Sequence, residues 1–367
     1  MNIQAAVSRG KSLELSLETV QLAEPREDEI LVRVLASGIC HTDLKVCLEG
    51  IRVPRPVVLG HEGSGIVERT GAKVTKVAPG NHVVMTFDYC GTCPSCLEGA
   101  VTYCYAAHPR NFGGTRTDGS SPISREGETI YGNFFGQSSF ASFAICHERN
   151  AVKVRKDLPL ELLGPLGCGI QTGAGAVINA LRVGAARSIA VFGTGAVGLA
   201  AVMAARLVGA AKIIAVDLLA ARLALSLELG ATHAVDAKAE DARDAVMRIT
   251  GHGVDFAIDT TTVTAVIRQA IRCLAPRGTC AVMASESPQQ EVPFNVIHLM
   301  SGGRSVRGII EGDSTPDVFI PALADLHQQG RFPYDRLVKF YPFERINEAI
   351  RDAEAGRTIK PILRFST

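Results

Sequence analysis

Residues 188–198 have the sequence SIAVFGTGAVG, which indicates the fold of the second part of the chain. An apolar run passes directly into glycines spaced G-x-G-x-x-G, and an apolar helical pattern follows. In a strand, turn and helix of this kind, Gly193 permits the tight turn, Gly195 lets a pyrophosphate approach the backbone, and Gly198 lets the helix pack closely on the strand. The first N–H groups of such a helix are unpaired and attract phosphate. The stretch therefore predicts a dinucleotide site.

The acid after the next apolar run indicates which dinucleotide is bound. The run at 212–216 is followed by Asp217, nineteen positions after Gly198. A carboxylate there can accept hydrogen bonds from both hydroxyls of the adenosine ribose, and it repels a 2′-phosphate. Leu218 and Leu219 supply no guanidinium that could bind such a phosphate. The prediction is NAD rather than NADP.

Strand-like and helix-like patterns alternate around this stretch. The apolar runs lie at 188–192, 212–216, 254–258 and 279–283. Ala, Leu, Val and Met recur at helical spacing over 196–208 and 220–229, where Gly230 marks a helix end. Alternating β and α elements predict the α/β class with a doubly wound parallel sheet.

The two ends of the chain have a different pattern. Up to about residue 160, short strand-like segments are punctuated by Gly and Pro, which predicts a β-rich lobe. Its clearest apolar runs lie at 29–35 and 57–67. Near the other end, residues 314–317 predict a helix start and Gly330 its stop. Strand-like segments follow at 337–340 and 362–365, and the pattern alone does not place them.

Length and charge limit the class of protein. The 367 residues are enough for two lobes that each bury a core. Because 38 basic side chains face 37 acidic ones, the chain lacks the positive bias that nucleic acid or an anionic membrane selects. There is no apolar run long enough to cross a bilayer, and the N-terminal sequence alternates as a strand does rather than as a secretory signal. We expect a cytoplasmic protein with a neutral small-molecule partner.

Four of the ten cysteines lie close together in the chain. Cys90, Cys93, Cys96 and Cys104 are separated by gaps that let their thiolates converge on one tetrahedral ion, which predicts a zinc site. With four sulfur ligands no position is left for water, so this ion would be structural. Disulfides or free thiols are the alternatives, and the cytoplasmic expectation argues against the former.

Several motifs, taken in order, resemble those of the zinc-containing medium-chain alcohol dehydrogenases. They are GICHTD at 38–43, GHEGSG at 60–65, the four-cysteine lobe, GCG at 167–169 and the glycine motif. Four further segments resemble the aryl-alcohol (benzyl-alcohol) dehydrogenase branch: NFGG at 111–114, FFGQSSF at 134–140, LLGPLGCGIQT at 162–172 and EGDS at 311–314.

The resemblance implies a division of the chain and an assembly. A GroES-like catalytic domain would span residues 1–169, with the structural-zinc lobe at about 90–104. A Rossmann NAD-binding domain would span 170–310, and the segment 311–367 would return to the catalytic domain. Relatives of this kind are homo-oligomers, dimers or tetramers, and the sequence does not choose between them.

The resemblance also implies a second, catalytic zinc ion, giving two per chain. Cys40, His61 and Cys168 would bind it and leave a fourth position open to water or alcohol, as catalysis requires. Asp43 would orient the His61 ring, and Glu62 would stand as a second carboxylate beside the ligands. Taken singly, His61 or Cys168 would more often be a structural residue, and the alternative for either acid is a solvated surface charge.

The remaining roles follow from the same resemblance. Thr42 would relay the alcohol's proton toward the nicotinamide ribose, but Lys45 stands where many relatives have a histidine, so the exit of the proton stays open. His41 and Lys360 would supply positive charge near the pyrophosphate. Thr172 would pack against the nicotinamide, and Arg222 would lie near the adenosine ribose. An aromatic pocket could be lined by Phe112, Phe134, Phe135 and Phe140.

The expected reaction is the reversible oxidation of a primary aromatic or allylic alcohol to its aldehyde, with hydride transfer to NAD. An aliphatic alcohol or a thiol adduct of formaldehyde is the alternative substrate. A zinc-free reductase of activated double bonds would not need the cysteine and histidine set. A non-catalytic nucleotide-sensing or zinc-binding protein is the alternative from another class, and it would not need Thr42.

Overall fold

The computed structural model describes residues 1–48, 51 and 53–366, and the elements below belong to them. The strands are β1 (Asn2–Ser8), β2 (Ser16–Leu22), β3 (Glu29–Gly38), β4 (Val57–Val58), β5 (Glu62–Thr70), β6 (His82–Met85), β7 (Ile123–Arg125), β8 (Glu128–Ile130), β9 (Phe143–His147), β10 (Ala151–Val154), β11 (Ser188–Phe192), β12 (Lys212–Asp217), β13 (His233–Asp236), β14 (Val254–Asp259), β15 (Leu274–Val282), β16 (Ser305–Gly308), β17 (Val338–Pro342) and β18 (Lys360–Arg364). The helices are α1 (His41–Cys47), α2 (Pro94–Leu97), α3 (Ala107–Phe112), α4 (Leu160–Leu163), α5 (Gly169–Gly175), α6 (Ala196–Leu207), α7 (Ala220–Leu229), α8 (Ala242–Thr250), α9 (Thr264–Arg272), α10 (Val296–Gly302), α11 (Pro316–Gln328) and α12 (Ile346–Glu354).

These elements form two compact units. Of the described residues, the first unit contains 1–168, 315–328 and those from 334 onward, and the second contains 169–314 and 329–333. No helix in the described part of the chain is both long and apolar enough to cross a bilayer.

The first unit is built on two sheets. One has the strand order β4-β1-β2-β7-β8, and the other has the order β10-β6-β5-β3-β18-β17, with β9 also paired to β3. The central strand β3 is buried along most of its length, as its apolar run predicts. Its last residue, Gly38, lies opposite Glu62, the first residue of β5. The end of β3 and the start of β5 therefore bring the segments around residues 40 and 61 together.

The pattern of the apolar run at 57–67 suggested a single strand, but the structure divides this run. It is split into β4 and β5 by Gly60, whose φ is +88°. A Cβ at this position would lie 2.5 Å from the backbone nitrogen of Phe140, so both the conformation and the space require glycine. The break turns the chain at His61, just before β5 begins.

The second unit contains the predicted doubly wound sheet, and this prediction is confirmed. Its parallel strands have the order β13-β12-β11-β14-β15-β16. In register, Phe192 at the end of β11 lies beside Val216 of β12, so the glycine motif and Asp217 share the carboxyl edge of the sheet. Ligands of open α/β sheets bind at this edge. The middle of α6 is fully buried, as expected of an alanine-rich helix that covers a sheet.

The last strands belong to the first unit. After α11, β17 pairs in parallel with β18, and β18 pairs antiparallel with β3 through Ile362 opposite Gly38. Lys360 opens β18, and the backbone N–H of Ile39 donates to the carbonyl of Pro361. The C-terminal strand therefore lies directly beside the segment that carries Cys40.

Candidate active site

Three separate turns of the first unit bring possible metal ligands together. Cys40 precedes α1, His61 precedes β5, and Cys168 follows the turn after α4. One ligand atom from each of Cys40, His61, Glu62 and Cys168 lies within 4.8 Å of all the others. The juxtaposition that was implied only by resemblance is thus present in the geometry.

Asp43 fixes the ring of His61. The Asp43 carboxylate lies 3.0 Å from Nδ1 of His61 and also accepts hydrogen bonds from the backbone N–H groups of Cys40 and Gly60, at 2.9 and 3.1 Å. Both side chains are buried, and among the described residues Nε2 of His61 has no hydrogen-bond partner. Since a buried polar atom is normally satisfied, this nitrogen fits a metal ligand whose other ring nitrogen is held by a carboxylate.

The electrostatics of the cluster also suit a cation. A hydrogen bond from Cys168 lowers the pKa of the Cys40 thiol well below its usual value, and the charge of His61 acts in the same direction. Although burial opposes a charged imidazole, the Asp43 carboxylate and Cys40 raise the pKa of His61 well above its usual value. The negative charge that stabilises a proton on His61 would equally stabilise a metal cation in its place, and thiolate and neutral imidazole are donors that zinc prefers. The residues therefore fit the metal that the motifs imply.

Glu62 and Lys360 form a buried ion pair beside these ligands. The ammonium of Lys360 lies 2.8 Å from both carboxylate oxygens of Glu62 and also donates to the carbonyl of Ile39 at 3.2 Å. A Cβ at Gly38 would lie 2.1 Å from an oxygen of Glu62, so the pair needs glycine there. The charge of Lys360 thus faces Glu62, a pairing that the sequence did not suggest. Its role toward a pyrophosphate stays a prediction.

Aromatic rings surround His61. Phe135 stacks on the imidazole, with ring centroids 4.4 Å apart and 23° between the planes, and Phe134 meets it edge-on at 5.5 Å. Phe112 contacts both phenylalanines edge-on, at 6.0 and 5.1 Å. Phe140 is fully buried against Gly60, so this fourth candidate has a packing role there. Three of the four predicted pocket residues therefore form one cluster with a candidate ligand.

The four-cysteine lobe forms a second possible metal site. The sulfur atoms of Cys90, Cys93, Cys96 and Cys104 all lie within 4.8 Å of one another, and all four thiols are free. The backbone N–H groups of Thr92 and Cys93 donate to the sulfur of Cys90 at 3.4 and 3.2 Å. The bond from Thr92 is the main cause that lowers the pKa of Cys90 to about 5. These bonds therefore favour the thiolate form of Cys90, the form that binds zinc.

The glycine motif has the strand, turn and helix that its sequence predicted. Gly193 has φ +85°, and a Cβ there would lie 2.5 Å from the hydroxyl oxygen of Thr260. A Cβ at Gly198 would lie 1.9 Å from the carbonyl oxygen of Gly193, which shows why the helix needs glycine where it crosses the strand. A Cβ at Gly195 would meet no protein atom within 4 Å, so packing does not explain that glycine.

Asp217 stands at the end of β12 and organises the same turn. One carboxylate oxygen accepts hydrogen bonds from the backbone N–H and the hydroxyl of Thr194, at 2.6 and 2.7 Å. The other oxygen accepts from the backbone N–H groups of Leu218 and Leu219. Although burial opposes the charged form, these donors lower the pKa of Asp217. The carboxylate is therefore ionised and held in place.

The remaining candidates lie in different surroundings. His41 is exposed at the first turn of α1, next to Thr42. The hydroxyl of Thr172 donates to the buried carboxylate of Glu311 at 3.3 Å, and Arg222 is half-buried on α7. Glu311 was missed because a single acid in a loop carries no signal until the fold places a partner beside it. The roles of His41, Thr172 and Arg222 toward a coenzyme stay predictions.

Two protein-family models match the chain. The model described as alcohol dehydrogenase GroES-like domain matches residues 26–156, and the model described as zinc-binding dehydrogenase matches residues 196–328. The first match covers the segments that carry Cys40, His61 and the four-cysteine lobe. The second covers most of the parallel-sheet unit.

Relatives match over the whole length. The chain is 48% identical over 367 residues to geraniol dehydrogenase of Castellaniella defragrans, covering 100% of this chain and 98% of that protein. The crystal structure of benzyl alcohol dehydrogenase from Acinetobacter calcoaceticus matches with a TM-score of 0.97 and 45% identity, and that of an alcohol dehydrogenase zinc-binding domain protein from Burkholderia ambifaria matches with 0.98 and 53%, each covering 100% of both chains. The chain therefore belongs to the zinc-containing medium-chain alcohol dehydrogenases, in their benzyl-alcohol branch.

Proposed function

We propose that this alcohol dehydrogenase oxidises a primary aromatic or allylic alcohol to the aldehyde, with NAD as the hydride acceptor and Cys40, His61 and Cys168 as ligands of a catalytic zinc ion. The observation that carries the proposal is the convergence of two thiols and a carboxylate-bound imidazole, whose Nε2 has no hydrogen-bond partner among the described residues. Three protein ligands leave one position of a tetrahedral ion for the substrate.

The bound zinc would act as a Lewis acid that lowers the pKa of an alcohol hydroxyl. Asp43 holds the proton on Nδ1 of His61 and thereby keeps the lone pair of Nε2 available. Thr42 is the second residue of α1, with its hydroxyl 3.8 Å from the sulfur of Cys40. This hydroxyl takes up the substrate's proton and passes it onward. Lys45 stands in place of the histidine of many relatives, so the relay ends at another group or in water.

The aromatic cluster supports the substrate class. The rings of Phe134 and Phe135 contact His61, and Phe112 packs edge-on against both phenylalanines. Aromatic walls favour a flat, unsaturated group next to the carbinol carbon. The similarity to a geraniol dehydrogenase and to a benzyl alcohol dehydrogenase supports the same class.

Asp217 supports NAD as the coenzyme. Its ionised carboxylate stands at the carboxyl edge of the sheet, where a ribose would bind, and it would repel a 2′-phosphate. Gly193, Gly195 and Gly198 would form the pyrophosphate loop. His41 would supply positive charge to the coenzyme, and Lys360, whose charge is paired with Glu62, would contribute less. Thr172 would contact the nicotinamide and Arg222 the ribose.

A second zinc ion would hold the four-cysteine lobe together. Four sulfur ligands complete its coordination, so this ion would stabilise the loop and take no part in the reaction.

The protein would assemble as a homo-oligomer through the edge of the parallel sheet. β16 ends the sheet and is exposed along its length. Exposed apolar side chains occur in β16 and directly after it, at Val306 and Ile310, and in the preceding helix α10, at Val296, Ile297 and Met300. An open strand edge pairs readily with a second copy of itself. Light scattering should give a mass above that of one chain, and Val306→Lys should lower it.

A substrate panel tests the proposed activity. NADH formation is followed at saturating NAD with benzyl, cinnamyl, geranyl and straight-chain primary alcohols. We expect kcat/KM for the first three to exceed that for the straight-chain alcohol by about tenfold or more, which corresponds to about 1.4 kcal/mol of transition-state binding. Equal values for all four would overturn the substrate class, and activity with NADP alone would overturn the coenzyme.

A further inference from the structure

The backbone next to the candidate metal ligands is strained. Phe135, Gly136 and Ser138 have φ values of +51°, +64° and +50°. Glycine adopts such values freely, but a phenylalanine in the left-handed region is an outlier that the surroundings must enforce. Such an outlier at Phe135 points to a role for its side chain.

Buried hydrogen bonds on both sides of Phe135 enforce this conformation. The hydroxyl of Ser138 accepts from the N–H of Phe134 at 2.9 Å and donates to the carbonyl of Val58 at 2.6 Å. The side-chain amide of Gln137 accepts from the N–H of Gly63 at 3.2 Å and donates to the carbonyl of His61 at 3.0 Å. All these groups are buried, so the loop is anchored to the segment that carries His61.

The result is a ring laid flat on an imidazole. Phe135 stacks on His61 at 4.4 Å with 23° between the planes, while the Asp43 carboxylate lies 3.0 Å from Nδ1 of the same imidazole. A hydrogen bond at one atom leaves the ring free to rock about that bond. A second ring against its face removes that freedom, and the edge of Phe134 supports it from another side.

We propose that Phe135 is a positioning residue of the metal site: its strained backbone is kept because the phenyl ring sets the plane of His61 and so slows release of the ion. The inference rests on the proposed zinc ligands. It differs from a substrate-pocket role, which would change KM without changing how the metal is held.

The test compares three replacements of Phe135. Phe135→Gly relieves the backbone strain and removes the ring, Phe135→Leu keeps bulk without a flat face, and Phe135→Tyr keeps the ring. Phe112→Leu is the matched control, because Phe112 contacts Phe134, Phe135 and His108 in the same cluster. Of the two proposed ions, the one bound by Cys40, His61 and Cys168 has an open coordination position and should exchange faster than the ion of the four-cysteine lobe. Release of zinc from this fast-exchanging site to a chelating dye is measured, and the visible bands of the cobalt-substituted protein report the ligand geometry.

We expect release to be about tenfold faster in Phe135→Gly and Phe135→Leu, with shifted cobalt bands, since loss of groups that orient a ligand commonly weakens metal binding by this amount or more. Phe135→Tyr and Phe112→Leu should keep the original rate and spectrum. Ions in the four-cysteine lobe should be retained in all variants, which shows that each has folded. Original release and spectrum in Phe135→Gly would overturn the positioning role, whereas absence of any fast-exchanging ion from the unmodified protein would overturn the proposed function instead.

Discussion

The carboxylate of Asp43 lies 3.0 Å from Nδ1 of His61, and both side chains are excluded from water. Because an ionised carboxylate only accepts hydrogen bonds, the ring must donate from Nδ1, which leaves the lone pair on Nε2. The same carboxylate accepts from the backbone of Cys40, so one acid positions two candidate ligands.

Removal of this acid should loosen the catalytic metal. Asp43→Ala is expected to weaken zinc binding at the site by about 10 to 100-fold, because the ring loses its orienting partner. Competition with a chelator measures the affinity. Asp244→Asn, which alters an exposed acid on α8, is the control and should leave the affinity unchanged. An unaltered affinity in Asp43→Ala would refute the orienting role.

Lys360 should be needed for stability because it neutralises Glu62 in the interior. Lys360→Met leaves a buried carboxylate without its cation and should lower the free energy of unfolding by about 3–5 kcal/mol at neutral pH. Urea denaturation measures this difference. Adding Glu62→Gln to Lys360→Met should restore part of the lost free energy of unfolding. A Lys360→Met protein as stable as the original would show that the ion pair does not stabilise the fold.

The cost of Lys360→Met should also depend on pH. Burial already raises the pKa of Glu62, and the loss of Lys360 removes a charge that lowers it. A carboxyl whose folded pKa is raised stays protonated in the folded protein after it has ionised in the unfolded chain. The destabilisation should therefore be small below the ordinary carboxyl pKa, grow as the pH rises toward the raised value, and level off above it. Urea midpoints of the variant and the original protein from pH 5 to pH 8 should diverge with pH. A constant difference would mean that Glu62 does not titrate in this range.

Coenzyme preference should follow Asp217. Asp217→Gly combined with Leu218→Arg removes the charge that repels a 2′-phosphate and supplies a guanidinium for it. A charge-assisted hydrogen bond contributes about 1.5–3 kcal/mol, so the ratio of kcat/KM for NADP to that for NAD should rise about 10 to 100-fold. Because Asp217 also holds Thr194, a thermal melt should accompany the kinetics. Leu218→Arg alone is the control, and an unchanged ratio in the double variant would remove the ribose role from Asp217.

The zinc lobe should be separable from catalysis. Cys96→Ser should lose one ion per chain, and residues 90–104 should become much more sensitive to limited proteolysis, because all four proposed ligands of that ion come from this loop. Cys146→Ser changes a buried cysteine of β9 and should keep both ions. An equally protected loop in Cys96→Ser would show that the metal does not hold it.

Motifs with local geometry could be predicted from the sequence. The strand, glycine turn and helix at 188–198 and the cysteine spacing at 90–104 are determined by neighbouring residues, and the structure has both. The parallel sheet followed from alternating patterns, although β13 and β16 were missed because they are short and partly or fully exposed.

Contacts between distant parts of the chain could not be predicted in this way. Spacing gives no reason for Cys40, His61 and Cys168 to meet, and only the resemblance suggested it. The pairing of Glu62 with Lys360 spans nearly the whole sequence and depends on β18 lying beside β3. The left-handed conformation of Phe135 has no local signal either, because hydrogen bonds from Gln137 and Ser138 to distant segments impose it.

Metal analysis of the purified protein and of Cys168→Ser distinguishes the two proposed zinc sites. We expect two zinc ions per chain in the original protein, one of them lost with all activity in Cys168→Ser, while the melting temperature stays nearly the same. Two ions retained in Cys168→Ser, or a fully active original protein with fewer than two, would contradict this expectation.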